Sequence, residues 1–119
     1  MSSVDDVKFN DQGLVPVIAQ DAKSNEVLML AYMNKETLQE TLDTGNMVYY
    51  SRSRQTRWRK GETSGHLQTV QSAHLDCDGD TLLFKIHQEG GACHKGYVSC
   101  FFRTREDDAW NITGKKIEE

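Results

Sequence analysis

Two extended runs, residues 67–75 and 81–88, flank the dipeptide Asp78-Gly79, which suits the positive φ angles of a tight hairpin turn. That pairing constrains the chain most, because it commits the middle of the sequence to an antiparallel sheet. Further strand signals surround it. Residues 14–19 and 26–32 are apolar runs joined by a polar turn around Lys23, Ser24 and Asn25, and residues 98–104 read as a final strand. One helix is predicted over residues 35–44, with Asn34 as its N-cap and Gly45 as its stop. Met33 and Leu38 are placed for a hydrophobic staple, and Leu38 and Leu42 stack one turn apart. Residues 47–50 resume extended structure. Residues 51–65 are polar and read as a long loop or ragged strand, and everything after Arg105 reads as peripheral. The predicted class is α+β: mostly strand, an antiparallel or mixed sheet, and one clear short helix.

The 119 residues fit one domain spanning 1–119, with a core over about 13–105 and a polar tail after 105. A hydrophobic fraction of 37% supports a modest core that a dimer interface would supplement. Net charge is -4, from 14 basic and 18 acidic residues, so the chain has no general attraction to nucleic acid or anionic membrane. No apolar run approaches the ~20 residues needed to span a bilayer. The first ten residues are polar and acidic and do not read as a signal peptide, so a cytoplasmic location is expected.

Chemistry-bearing residues concentrate in the second half. Asp76, Asp78 and Asp80 alternate, so an extended chain would carry them on one face. Close carboxylates repel unless a cation sits among them, and hard oxygen ligands suit Mg²⁺. The plain alternative is a solvated turn. Cys77 lies inside this run, and Cys93 and Cys100 follow at Cys-x15-Cys-x6-Cys spacing. No Cys-x2-Cys pair exists, so zinc fingers and ribbons do not fit. Three thiolates still suffice for Zn²⁺ with a fourth position open to water, whose pKa then falls to about 7. The alternative is three small buried hydrophobes. His94 is a candidate ligand or general base beside Cys93, or a packing histidine. Arg52, Arg54, Arg57, Arg59 and Lys60 lead into a loop bounded by Gly61 and Gly65.

Several motifs coincide: Trp-Arg-Lys-Gly-Glu-Thr-Ser-Gly-His-Leu-Gln at 58–68, Asp-Cys-Asp-Gly-Asp at 76–80, and Ala-Cys-His-Lys-Gly-Tyr-Val-Ser-Cys-Phe-Phe-Arg at 92–103. In this order they resemble the phosphoribosyl-AMP cyclohydrolase family, as do Leu-Met-Leu-Ala-Tyr-Met-Asn at 28–34 and Tyr-Tyr-Ser-Arg-Ser-Arg at 49–54. The resemblance covers roughly residues 13–105. It implies an intertwined homodimer with a zinc site shared between subunits, Cys77 from one chain and Cys93 and Cys100 from the other. It implies Mg²⁺ at Asp76, Asp78 and Asp80. The implied substrate is N1-(5-phosphoribosyl)-AMP, whose adenine is opened by water between N1 and C6 during histidine biosynthesis. Some members carry a second, pyrophosphohydrolase domain, for which this chain has no room.

The residues agree with that chemistry. An N1 substituent makes the adenine electron-poor, so C6 is a good target for zinc-activated water. His94 is the first candidate for proton transfer, and Glu62 the next. Two phosphate monoesters suit Arg52, Arg54, Arg57 and Lys60, together with the backbone of Gly61, Glu62, Thr63 and Ser64. Trp58 is a candidate for stacking on the base, or a core aromatic. A nucleobase deaminase lacks support, since neither Pro-Cys-x-x-Cys nor any Cys-x-x-Cys is present. A zinc-stabilised non-enzymatic module and a small RNA-binding domain are the remaining alternatives.

Overall fold

A computed structural model of the chain describes residues 3–62, 64–93 and 95–117. After a short 3-10 helix, Ser3–Asp6, the chain forms β1 (Val15–Asp21), β2 (Val27–Met33), α1 (Lys35–Thr44), β3 (Val48–Ser51), β4 (Thr56–Arg59), β5 (Gln68–Leu75), β6 (Leu82–Gln88), β7 (Arg103–Glu106) and β8 (Ala109–Ile112). Strands β2, β1, β6 and β5 form one sheet in that order, and β3–β4 and β7–β8 are separate hairpins. β1 is antiparallel to β2 and parallel to β6, while β5 and β6 are antiparallel. The sheet is therefore mixed and, with one α-helix among the described residues, the class is α+β.

Alternation explains the sheet. Val15, Val17 and Ala19 of β1 and Leu82, Phe84 and Ile86 of β6 are buried, with half-buried residues between them. Pro16 is tolerated in an interior strand because pairing with β6 begins only at Val17 opposite Leu82. The helix occupies its predicted bounds for the predicted reasons. Asn34 Oδ1 accepts the Thr37 N–H at 2.8 Å, and Thr37 Oγ1 accepts the Asn34 N–H at 3.0 Å. Gly45 closes the helix at φ +77°, donating its N–H to the Thr41 carbonyl. Buried Thr41 joins helix to hairpin, its hydroxyl donating to the Thr37 carbonyl and accepting from the Val48 N–H at 3.0 Å.

Two segments sharpen or correct the sequence reading. Residues 51–65 follow the strand alternative rather than the loop, but only over Thr56–Arg59, where β4 pairs with β3 and Tyr49 stands opposite Trp58. The arginines hid this strand, because Arg57 is exposed while Trp58 and Arg59 are half-buried. The strand expected over 98–104 starts only at Arg103, because the backbone before it is used elsewhere. Val98 N–H donates to Lys115, and Cys100 N–H to Leu28 on β2. Beyond Arg105 the chain forms β8, paired with β7 and exposed throughout. No helix among the described residues is long and apolar enough to cross a membrane.

Candidate active site

Residues 92–100 form a tight loop after β6. Ala92 N–H donates to Val98, Cys93 N–H to Tyr97, and Gly96 N–H to Cys93. The loop is docked on β2 through the Ser99 hydroxyl, which donates to the Val27 carbonyl at 2.8 Å. Within it Cys93 lies close enough to Cys100 to disfavour its thiolate. Cys93 Sγ also accepts the Lys95 N–H at 3.4 Å. Burial, with the neighbouring Cys93, pushes the Cys100 thiol up to about 11. Metal binding requires the thiolate form, and a bound cation reverses the balance that keeps the Cys100 thiol protonated.

Lys60 ties the basic hairpin to this loop. It is 8% exposed, and its Nζ donates to the Ala92 carbonyl at 2.9 Å. Burial pushes its pKa down, while Cys100 and Cys93 pull it upward. Gly61 follows at φ +83°, and a Cβ there would meet the Leu67 nitrogen at 2.5 Å. Only glycine therefore permits the tight return that presses His66 against Gly90.

A buried hydrogen-bond network underlies the same loop. Tyr49 Oη donates to Gln68 Oε1 at 2.6 Å, and Gln68 Nε2 donates to Gln88 Oε1 at 2.8 Å. Gln88 Nε2 reaches the carbonyls of Gly90 and Val98 at 3.2 and 3.3 Å. Burial, and then the nearby Cys100, raises the pKa of Tyr49, which keeps its hydroxyl a donor. Sequence reasoning missed this network, because no local pattern separates a buried strand glutamine such as Gln68 from an exposed one.

Cys77 lies elsewhere. It is exposed in the β5–β6 turn, whereas the Cys93 loop follows the opposite end of β6. The seven residues of β6 separate the two ends by about 20 Å. Among the described residues, no three His, Cys, Asp or Glu side chains group so as to hold a metal. The acidic run is not extended either. Asp76 Oδ1 accepts the N–H groups of Asp80 at 3.1 Å and Thr81 at 3.3 Å, which closes the turn. Asp76, Asp78 and Asp80 are all exposed there.

The remaining candidates are distributed as follows. Arg52 stacks over the Tyr32 ring at 4.0 Å and lines a cavity of about 760 Å³ with Gln12, Tyr50, Ser53 and Gln55. Gln12 had no signal in the sequence, since the loop before β1 reaches this cavity only through the fold. Arg54 is exposed in the β3–β4 turn, where its N–H donates to Ser51 Oγ at 3.3 Å. The Arg57 guanidinium is held by both carboxylate oxygens of Glu40, with Nε to Oε1 at 2.7 Å, and Glu62 lies 3.8 Å away. Arg59 Nε is buried without a hydrogen-bond partner. Trp58 is half-buried, 5.4 Å from the Tyr49 ring. Ser64 is exposed; Thr63 and His94 lie outside the described residues.

A family model described as phosphoribosyl-AMP cyclohydrolase matches residues 29–102. A phosphoribosyl-AMP cyclohydrolase of Salinibacter ruber is 65% identical over 114 residues, covering 96% of this chain and 90% of the relative. One from Bordetella petrii is 62% identical, covering 95% of this chain and 85% of its own. One from Methanococcoides burtonii is 51% identical over 117 residues, covering 98% and 94%.

Proposed function

The chain belongs to the phosphoribosyl-AMP cyclohydrolase family, and on that premise we propose that it opens the adenine ring of N1-(5-phosphoribosyl)-AMP between N1 and C6 in histidine biosynthesis. The observation that carries this reading is the Cys93–Cys100 thiol pair beside the buried ammonium of Lys60. Two neighbouring thiols, one of them accepting a backbone N–H, are a donor set suited to a soft divalent ion. Cys93 and Cys100 would hold Zn²⁺ together with Cys77 of the partner subunit. The one-chain separation of about 20 Å along β6 supports a homodimer in which each site is shared. Bound zinc would supply activated water at neutral pH.

The chain's own residues do the rest. Lys60 holds the Ala92 carbonyl, fixes the Cys93 loop and offsets negative charge on the thiolates. The Tyr49–Gln68–Gln88 network holds the same loop from below. His94, next in sequence to Cys93, moves the proton that the departing N1 takes up. Glu62 is the second candidate for that role. Arg52, in the polar cavity with Ser53 and Tyr50, binds a phosphate monoester. Arg54 and the Gly61–Ser64 loop extend that anion site. Arg57 must exchange Glu40 for phosphate to take part. Trp58 presents the exposed part of its ring to the base.

The acidic turn suits a loosely held cation that keeps several waters, as Mg²⁺ does. Asp78 and Asp80, with the carboxylate of Asp76, would hold it and help orient the substrate. Three free cysteines fit a reducing compartment, and the cytoplasm is the proposed location. A zinc-stabilised non-enzymatic module or an RNA-binding domain has no observation in its favour.

The test is direct. Purified, zinc-loaded protein is mixed with phosphoribosyl-AMP in Mg²⁺ buffer, and ring opening is followed by ultraviolet absorbance. Turnover that disappears in Cys93→Ser and Cys100→Ser is the expected result. No absorbance change with fully metallated protein refutes the reading.

A further inference from the structure

Beyond β8 the chain turns back across the thiol loop. The Thr113 and Gly114 N–H groups both donate to the Phe102 carbonyl, at 2.9 and 3.0 Å. The Val98 N–H then donates to the Lys115 carbonyl at 2.9 Å, and the Ile117 N–H to the Gly96 carbonyl at 2.8 Å. Between these bonds Tyr97 stands opposite Lys116 in an antiparallel bridge. Residues 115–117 therefore lie along one side of 96–98. The other side of 96–98 holds the first limb of the loop, through the N–H groups of Ala92 and Cys93.

Side chains fasten the same segment. Of residues 113–117 only Gly114 and Ile117 are half-buried; the others are exposed. A Cβ on Gly114 would fall 2.6 Å from Phe102 Cβ and 2.8 Å from its Cα, so only glycine lets the backbone pass this close. Ile117 Cδ1 occupies the space that a Cβ on Gly91 would take. The Phe102 ring stacks on Tyr97 with centroids 3.9 Å apart, and Lys116 Nζ lies 5.5 Å from the Tyr97 ring.

The two thiols are anchored differently. Cys100 is tied to the main sheet, its N–H donating to the Leu28 carbonyl at 2.6 Å. The Cys93 N–H donates instead to Tyr97, inside its own loop. Among the described residues, the main-chain bonds that hold 96–98 from outside the loop both come from residues 115–117. We infer that Gly114–Ile117 is a strap that positions Cys93 for the metal, with Ile117 acting through Gly96 and Tyr97. The inference rests on the reading of Cys93 and Cys100 as metal ligands and deepens it. Metal–sulfur distances tolerate only about 0.2 Å of error. A limb free to drift therefore binds the ion more weakly, and the strap removes that freedom before the ion arrives.

The test uses the full-length protein. Coupling is reciprocal, so zinc held by Cys93 must in turn protect the strap. In the wild type, the Val98 and Ile117 amides should exchange with heavy water at least tenfold more slowly once zinc is added. Ile117→Pro removes the N–H that Gly96 accepts, and Gly114→Ala forces the strap away from Phe102. Each should lower zinc affinity at least tenfold in chelator competition and shift the ligand-field bands of the cobalt-substituted protein. Ile117→Val, which keeps the N–H and the apolar contact, should match the wild type in both. Exchange at Ile117 that ignores zinc, or wild-type affinity in both disruptive variants, overturns the strap. If either variant misfolds, the wild-type exchange result decides alone. Zinc binding coupled to the strap, without ring opening of phosphoribosyl-AMP, supports the strap and rejects the proposed reaction alone. A wild-type protein that binds no zinc at Cys93 overturns both.

Discussion

Lys60 donates to the Ala92 carbonyl over 2.9 Å, and so joins the end of the basic hairpin to the residue before the buried Cys93 thiol. This contact makes Lys60 a positioning residue for the thiol loop. Lys60→Met strips a buried carbonyl of its partner, at a cost of roughly 1–3 kcal/mol, and removes the charge facing the thiolates. Zinc affinity, measured by competition with a chromophoric chelator, should fall at least tenfold, with Lys60→Arg retaining part of it. Unchanged affinity in Lys60→Met contradicts the role.

The Tyr49–Gln68 pair predicts a coupled stability effect. Gln68→Leu leaves the Tyr49 hydroxyl and the Gln88 carbonyl without their partner. The loss should be roughly 2–4 kcal/mol in urea unfolding. Tyr49→Phe should cost less, and the double variant less than the sum, since both changes break one bond. Strict additivity argues against the network.

Asp21 gives a pH signature away from the site. The Ser24 N–H lowers its carboxyl below the usual carboxylate range; burial opposes this and the Lys23 N–H adds to it. The folded pKa lies below the unfolded one. The stabilisation is therefore full above the unfolded value, about 3.9, and is lost as the pH falls through the folded value. Asp21→Ala should lower stability at neutral pH by about 1 kcal/mol. The gap from wild type, followed by thermal unfolding, should narrow between about pH 5 and about pH 2. A gap independent of pH contradicts the assignment.

The acidic turn predicts a second, weaker metal requirement. After EDTA treatment, zinc alone should leave activity incomplete and added Mg²⁺ should restore it, reversibly. Asp78→Asn and Asp80→Asn should raise the Mg²⁺ concentration needed for half-activity while zinc content stays unchanged. Full activity with zinc alone in Mg²⁺-free buffer removes Mg²⁺ from the account.

The fold was legible where local chemistry decides it. The Asn34 cap and Gly45 stop bounded α1, and Asp78-Gly79 located the β5–β6 turn. Legibility failed where long-range contacts decide. β4 was masked by arginines that turn one face to Glu40 and keep another half-buried. Residues 98–100 looked like a strand but bond to β2 and to the chain's end. At the site, the cysteine spacing named the thiols without saying which of them meet. That Lys60 would be buried, and that Gln68 would connect Tyr49 to Gln88, depends on pairing across the sheet and had no local trace.

Complementation tests the central claim, a catalytic centre completed by a second chain, most directly. Cys77→Ala and Cys93→Ala proteins, each inactive alone, are mixed under subunit exchange with zinc and Mg²⁺, and heterodimers are verified by native mass spectrometry. One of the two sites in a heterodimer then combines an intact Cys77 with intact Cys93 and Cys100. Turnover of phosphoribosyl-AMP should recover toward half that of wild type per heterodimer. Heterodimers that form, bind zinc and remain inactive contradict the shared site.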